Sequence, residues 1–533
     1  MRNFGFLGHF IDPFQLTTAI FWYAGPNGDP VGVNFDELSA TSIPLVTYDS
    51  SRVVASFRNA GFVPPQLVEI RDALKLLSGR SKDQGGERHW NAFSAISKAS
   101  ASDDPKVLAN LISAKIPQLD LQSTNELVAS MTSALRATWL DLRAALELQG
   151  EWQRFESIEI PVQNIFRRRE FDGIRVDEVK RAELLEKVRL EKYRAYRELA
   201  QQLGFSPSSL GFHNVGAYLK DTDASHLGGY AESSSFQQYL ELSRDHSNFA
   251  RCFLDFADAR RDESTIIKMG SVQERYYPAV ECFGTVTGRI IITNPPIQML
   301  KKKHRSLITS DDGKVLRYFD YCQFEPGVLA SLAGDAEFAE LYNTADVYSQ
   351  LSEVIFGKEE RRSDAKKIFL GYMYGMSPEA LSKLLASSEE DNQLTASYRL
   401  SIKRFFDRFP RLWAYRLEAQ AELEVKGFIG TALGNRRTRI VSGRLAPKEQ
   451  HWALNQRVQG TASLIFKDAL LKIEAIVGAE DILLPMHDAV LIQLQESQVD
   501  DRVVQIVEAM EATFRKWCPG IRPRISLEHF STG

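Results

Sequence analysis

A chain of 533 residues, 44% of them apolar, is too long for one core and ordinary for a globular protein, so roughly two to four domains are expected. Its 65 Lys and Arg against 69 Asp and Glu leave a net charge of −4, which argues against a protein that coats nucleic acid indiscriminately but allows a basic cleft in an acidic surface. The four cysteines, Cys252, Cys282, Cys322 and Cys518, form no C-x-x-C pair, so neither a zinc site nor a disulfide framework is expected. The first residues lack the apolar core of a secretory signal, and no apolar run reaches the roughly 18 residues of a membrane span.

In chain order, Thr18 to Ala24 and Val31 to Phe35 read as strands on either side of a Gly-Pro-Asn-Gly-Asp-Pro turn cluster. Pro44 to Tyr48 reads as a strand feeding a helix over Ser51 to Ala60, and Gln66 to Leu77 reads as helix. This is βαβ material. Ser81 to Gln122 is rich in small and polar residues and predicts a loose helical region or a mobile insertion, after which helical periodicity strengthens from Glu126 to Leu148. Asp172-Gly173 marks a tight turn, and Asp177 is placed to cap a long charged helix from Glu178 to Leu203. Loop-rich sequence over Phe205 to Glu241 and a basic helix over Phe249 to Lys268 complete a predicted helical hairpin, a shape suited to tracking phosphates.

Thr287-Gly288-Arg289 precedes Asn294-Pro295-Pro296-Ile297-Gln298, whose prolines force an extended path, and Arg289 and Gln298 can reach a sugar, a phosphate or a base edge. The basic run Lys301 to Arg305 follows. An apolar strand then ends at Asp320, and a second apolar hairpin carries His487-Asp488 at its tip. Two aspartates on neighbouring strands suit phosphoryl transfer, in which two divalent ions roughly 3.5–4 Å apart need hard oxygen ligands. Between them Arg362, Lys366, Leu370 and Tyr374 recur at every fourth position on one face of a predicted helix, spanning roughly 18 Å, enough for a triphosphate at one end and a base at the other. Gly371 and Gly375 read as room made for a ligand.

From Glu156 onward these motifs resemble family A DNA polymerases, the class of bacterial DNA polymerase I and many phage replicases. Asp320-Tyr321-Cys322-Gln323-Phe324-Glu325 with Gly334-Asp335 resembles the family's motif A, Arg362 to Gly375 the fingers helix of motif B, and His487-Asp488 motif C. Thr287 to Arg289 with Asn294 to Gln298 resembles its template-primer motif, and Asn455 to Ala462 its palm helix. The resemblance implies an α+β multi-domain right hand, with a palm of antiparallel sheet and helical fingers and thumb, preceded by an α/β ribonuclease H-like domain of exonuclease type. The divisions implied are 1–150 for the exonuclease-like domain, 151–270 for the thumb, 271–345 and 433–533 for the palm, and 346–432 for the fingers.

Carried over by residue, the resemblance implies that Asp320, Asp488 and the carbonyl of Tyr321 bind two magnesium ions, with manganese as a substitute, and that Lys366 assists departure of pyrophosphate. Arg362, Lys366, Leu370, Tyr374, Gln323, Glu325 and Tyr348 would form the nucleotide site, with Glu325 as the steric gate against a ribose 2′-hydroxyl. Lys268, Arg289, Gln298, Asn455, Gln459 and His487 would contact DNA. The implied partners are primer-template DNA, deoxynucleoside triphosphates and replication accessory proteins, with no membrane, in the cytoplasm of a bacterial cell that hosts a phage-type or mobile-element replicase or uses a repair enzyme.

Three positions depart from the family pattern: Leu370 stands where Phe or Tyr is usual, Tyr348 where His is usual, and Ala489 where Glu is common. The N-terminal region lacks the D-x-E strand that a two-metal exonuclease needs. Asp12, Asp49, Asp72 and Asp141 read as caps or surface residues, and Trp139 to Leu142 lacks the usual tyrosine, so proofreading is expected to be absent. Two other readings remain open on the sequence. One is a single-subunit RNA polymerase, against which Glu325 argues, and the other is a non-catalytic DNA-binding relative.

Overall fold

The computed structural model describes residues 3–100, 102–115, 119–231, 236–245, 247–270, 274–385 and 392–531. The N-terminal sheet contains β1 (Gly5–Ile11), β2 (Ala19–Ala24), β3 (Val31–Val33), β4 (Leu45–Thr47) and β5 (Leu67–Glu69) in the order β3-β2-β1-β4-β5. β1 runs antiparallel to β2 and parallel to β4. Helices cover both faces, so all seven residues of β1 are buried. Strand alternation sends Leu7 and Ile11 towards Val53, Val54 and Phe57 of the helix Ser50–Ala60, and Phe6 and Phe10 towards Val128, Met131 and Trp139 of the helix Leu121–Leu148. A Cβ on Gly8 would lie 2.1 Å from Thr132 Oγ1, so a glycine is needed for that helix to close on the strand.

Several local expectations change here. Gln66 to Leu77 divides into β5, which pairs in parallel with β4, and the helix Ile70–Ser78. Pairing with a neighbouring strand outweighs the helical pattern of those first residues. Phe35 leaves the predicted strand for a short helix, Phe35–Ser39, closed by a capping box between Asn34 and Glu37. The region expected to be loose holds helices Glu87–Trp90, Ala92–Ser100 and Asp104–Ile112, whose Ala92, Ile96, Leu108 and Leu111 enter the same core as Trp139. Asp120 caps the long helix at Ser123 N–H, 2.9 Å away, so it starts before Glu126.

A single π turn, Phe155–Glu159, joins the N-terminal unit to the helix Ile160–Asp172. Buried here is an ionic chain. Arg154 Nε donates to Glu159 Oε1 at 2.9 Å, Glu159 Oε2 accepts from Lys467 Nζ, and all three side chains are fully buried. Burial pulls the Lys467 ammonium below the usual lysine range, and Glu159 opposes that pull. Replacing Lys467 by Met strands one oxygen of a desolvated carboxylate that Arg154 still pairs, and is expected to cost about 1–3 kcal/mol, read as a lowered midpoint in denaturant unfolding.

Asp177 caps the helix Glu178–Leu203 as expected, accepting from Lys180 N–H at 3.0 Å, and this helix packs along Asn248–Lys268. The connecting region holds short 3-10 turns and a helix, Phe236–Ser243, which bury Leu210, Val215 and Phe236 against Phe249 and Phe253. Beyond the hairpin, the second sheet contains β6 (Lys314–Tyr321), β7 (Ile482–Met486), β8 (Ala489–Gln495) and β9 (Ile525–Glu528), antiparallel throughout in the order β7-β8-β6-β9. The helices Pro447–Val477 and Val499–Trp517 pack on each other and share a core with this sheet through Leu470, Ile473, Met510 and Phe514. Between β6 and the helix Pro447–Val477 the chain holds the helices Phe324–Ala333, Ala336–Thr344, Val347–Phe356, Arg362–Met373, Pro378–Leu385, Asn392–Asp407 and Pro410–Lys426. The result is an α+β chain with an antiparallel sheet at the centre of its larger part. Among the described residues, no helix is long and apolar enough to cross a membrane.

Candidate active site

The β6–β8 ladder pairs Asp320 with Ala489, which puts Asp488 opposite Tyr321, whose N–H donates to the Asp488 carbonyl at 3.4 Å. Met486 pairs with Ala489, so His487 and Asp488 are the two central residues of a tight hairpin, and His487 adopts φ 64° to make it. Sheet register therefore brings together two carboxylates 168 residues apart in the chain. Among the described residues, neither carboxylate has an ion-pair partner. The Asp320 carboxyl is pushed up to about 7 by burial first, then by the negative charges of Asp488 and Glu528, while Lys366 pulls it down. Two repelling carboxylates without a protein counter-ion, beside the backbone carbonyl of Tyr321, are a hard-oxygen donor set suited to divalent cations. Ala489 is buried and adds no third carboxylate, and no cluster of three or more His, Cys, Asp or Glu among the described residues could hold a metal.

The helix Arg362–Met373 approaches this sheet end, with Tyr374 as its C-terminal cap. Its face carries Arg362 and Lys366, both exposed, then Leu370 and Tyr374. A narrow cavity of about 10 Å³ is lined by Glu325, Leu329, Leu370, Tyr374 and Leu454, which places the expected gate, the departing Leu370 and the terminal tyrosine around one space. Glu325 pairs with Arg289 through Oε1 while its buried Oε2 has no partner, and burial raises its carboxyl despite that cation. Gln459 Nε2 donates to the Tyr374 hydroxyl at 3.0 Å, which joins the helix Pro447–Val477 to the same group. Arg289 is presented by a turn in which Gly288 has φ 79°, and a Cβ there would meet Arg154 Nη2 at 3.2 Å. Ser463 Oγ donates to the Gly288 carbonyl at 2.6 Å and fixes the turn on the helix Pro447–Val477.

Several expected contacts have other occupations. Gln298 is buried: its Oε1 accepts from Ile292 N–H at 3.0 Å, and its Nε2 donates to the carbonyls of Ile290 at 3.2 Å and Pro485 at 2.8 Å. Its amide ties the extended segment to the strand leading into His487 and is not offered to a duplex. Gln323, at φ 51°, donates to Asp346 at 2.7 Å and accepts from Val347 N–H at 2.8 Å, so its amide holds the start of the helix Val347–Phe356. Tyr348 is buried with its ring 5.3 Å beneath the Arg362 guanidinium, a support for that cation. The space beside Gly371 is filled by Leu381 and Met376, and that beside Gly375 by His451, so protein packing accounts for both glycines. Asn455 Oδ1 is buried without a partner. Burial lowers the His487 imidazole. Lys268, exposed at the end of its helix, makes no ion pair with any of these residues.

Asp346 escaped the sequence reading. It accepts from Arg362 Nη2 at 2.7 Å, caps the helix Val347–Phe356 through Ser349 N–H at 2.8 Å, and receives Gln323. Its position before a helix with Ser three residues on is an N-cap signal that could have flagged it. In the N-terminal unit, Asp49 caps a helix at Arg52 N–H, Asp12 accepts from Phe14 and Gln15 N–H, Asp72 is buried against Gln163, and Asp141 is exposed. β1 contributes no carboxylate.

Comparisons with known proteins bear on the family of the chain. The chain is 25% identical to DNA polymerase I of Pseudomonas aeruginosa over 425 residues, covering 71% of this chain and 44% of the relative. It is 29% identical to the thermostable DNA polymerase I of Thermus thermophilus over 252 residues, covering 43% and 29%. The chain therefore spans less than half the length of these relatives. Its fold matches the POL domain of Pol1 from M. smegmatis, solved in complex with DNA primer-template and dNTP, with a TM-score of 0.74 at 18% identity, covering 98% of this chain and 94% of that one. The profile of DNA polymerase family A matches residues 205–519, more than half of the chain, and on these grounds the chain belongs to DNA polymerase family A.

Proposed function

We propose that this chain is a template-directed DNA polymerase that adds deoxynucleotides to a primer 3′ end by two-metal-ion nucleotidyl transfer, without proofreading. The observation that carries the reading is the register that sets Asp320 and Asp488 side by side beneath the Lys366 face of the helix Arg362–Met373. Asp320, Asp488 and the Tyr321 carbonyl would hold the ions. Magnesium bound there, or manganese in its place, supplies charge that activates the primer hydroxyl and neutralises the leaving pyrophosphate.

The protein's own groups do the rest. Arg362 leaves Asp346 to grip the triphosphate, and the Lys366 ammonium gives charge or a proton to the departing pyrophosphate oxygen. Tyr374, released from Gln459, packs at the new base pair, and Glu325 closes the space beside the sugar. The M. smegmatis Pol1 domain, whose fold this chain shares, was solved with primer-template and dNTP, which supports the same substrates here. We place the palm at 271–345 and 433–533, the fingers at 346–432, the thumb within 151–270, and a degenerate exonuclease-type domain at 1–150. The carboxylate-free β1 and the occupied Asp12, Asp49 and Asp72 support loss of proofreading.

The test is primer extension with magnesium and dNTPs, with the wild-type chain set beside Asp488→Ala. Extension by the wild type alone is expected; equal extension by both would sink the assignment.

A further inference from the structure

We propose that Trp413, Arg416 and Leu417, on one face of the helix Pro410–Lys426, form a stacking platform for the unpaired template strand just beyond the nascent base pair. The proposal rests on the polymerase reading above. Trp413 is 49% exposed and Leu417, one turn later, 46% exposed, so two large apolar groups lie side by side in water. The Arg416 guanidinium lies 5.2 Å from the Trp413 ring centroid. An open aromatic face backed by a guanidinium is the arrangement that takes single-stranded bases without regard to sequence, by stacking and cation–π attraction. Nearby Glu418 is paired with Arg411 at 2.9 Å, so Arg416 keeps its charge for a phosphate or a base.

The location selects the strand. Gln420, on the same face, donates to the Gln450 carbonyl at 3.1 Å, which fastens this face to the first turn of the helix Pro447–Val477. The next residue, exposed His451, fills the space beside Gly375, immediately after Tyr374. Arg416 is close enough to act electrostatically on both His451 and Tyr372. The platform thus begins at the base end of the nucleotide helix, roughly 18 Å from the triphosphate end at Arg362. The primer ends at Asp320 and Asp488, so the strand that continues past Tyr374 is the template.

The experiment measures the affinity of the full chain for a labelled primer-template that is blunt, carries a short 5′ overhang of ordinary nucleotides, or carries the same overhang made of abasic sites. Wild type is expected to bind the base-bearing overhang about tenfold more tightly than the abasic one. Trp413→Ala should lose that base-dependent gain while binding the blunt duplex as wild type does. Trp413→Phe should keep most of it, and Val425→Ala, at an exposed position on the same helix, should keep all of it. Unchanged circular dichroism would show that the variants fold. A full base-dependent gain in Trp413→Ala, or none in wild type, overturns the platform. Failure of wild type to extend any primer while it still shows the gain would overturn the polymerase reading and leave the platform standing.

Discussion

Asp320→Asn is expected to lower primer extension by at least about 10³-fold, several kcal/mol of transition-state stabilisation, and at the same time to stabilise the metal-free protein. The two effects share one cause. Asp320 is held at about 7 by burial and by the charge of Asp488, against an ordinary value of 3.8. Between those values the folded state binds more protons at this carboxyl than the unfolded state does, so its contribution to stability falls as pH rises through that window. At pH 8 the folded protein carries a charge that it would be more stable without. Asparagine removes it, for a gain of roughly 1–2 kcal/mol after allowance for solvent screening. The thermal midpoint of the metal-free variant should exceed that of wild type at pH 8 and match it near pH 4. Magnesium should raise the midpoint of wild type and leave the variant's nearly unmoved. A variant less stable than wild type at pH 8 would show that Asp320 serves the fold and not a cation.

What could be read in advance depended on how local the signal was. Asp320 and Asp488 each lie at the end of an apolar strand, so the flanking runs announce both lips, and the two-residue loop His487-Asp488 specifies the β7–β8 register, whereas the β6–β8 pairing that joins the two carboxylates is long-range and carries no local mark. The helix from Arg362 was equally open to reading, since its face repeats every fourth residue. Side-chain amides were not. Gln298 has the chemistry to read a base edge, but its amide is engaged by Ile290 and Ile292 and by the Pro485 carbonyl, 187 positions away. Gln323 is likewise spent on Asp346 and Val347. The buried chain from Arg154 through Glu159 to Lys467 spans 308 positions between its last two members, and no periodicity marks it. The Ser81 to Gln122 region misled through composition: its small residues read as looseness, whereas Ala92, Ile96 and Leu108 let short helices close on the N-terminal core.

The second large effect belongs to Glu325. If its side chain excludes a ribose by bulk, Glu325→Ala should raise ribonucleotide incorporation relative to deoxynucleotide by about 10²-fold, the scale on which a pocket distinguishes one hydroxyl. The geometry supports bulk over charge. Glu325 forms part of the wall of the narrow cavity, about 10 Å³, that it shares with Leu370 and Tyr374, so trimming its side chain widens that space. Its charge is already engaged by Arg289, and its second oxygen is buried without a donor. Glu325→Gln keeps the volume and removes the charge, and should therefore keep discrimination. Single-nucleotide kinetics with paired rNTP and dNTP separate the cases. Discrimination lost equally in Gln and Ala would make the gate electrostatic, and a wild-type preference for rNTPs would make the chain an RNA polymerase. Leu370 sharpens the test: it lines the same cavity with a non-aromatic side chain, so Leu370→Phe in the Glu325→Ala background should refill part of the space and restore part of the discrimination.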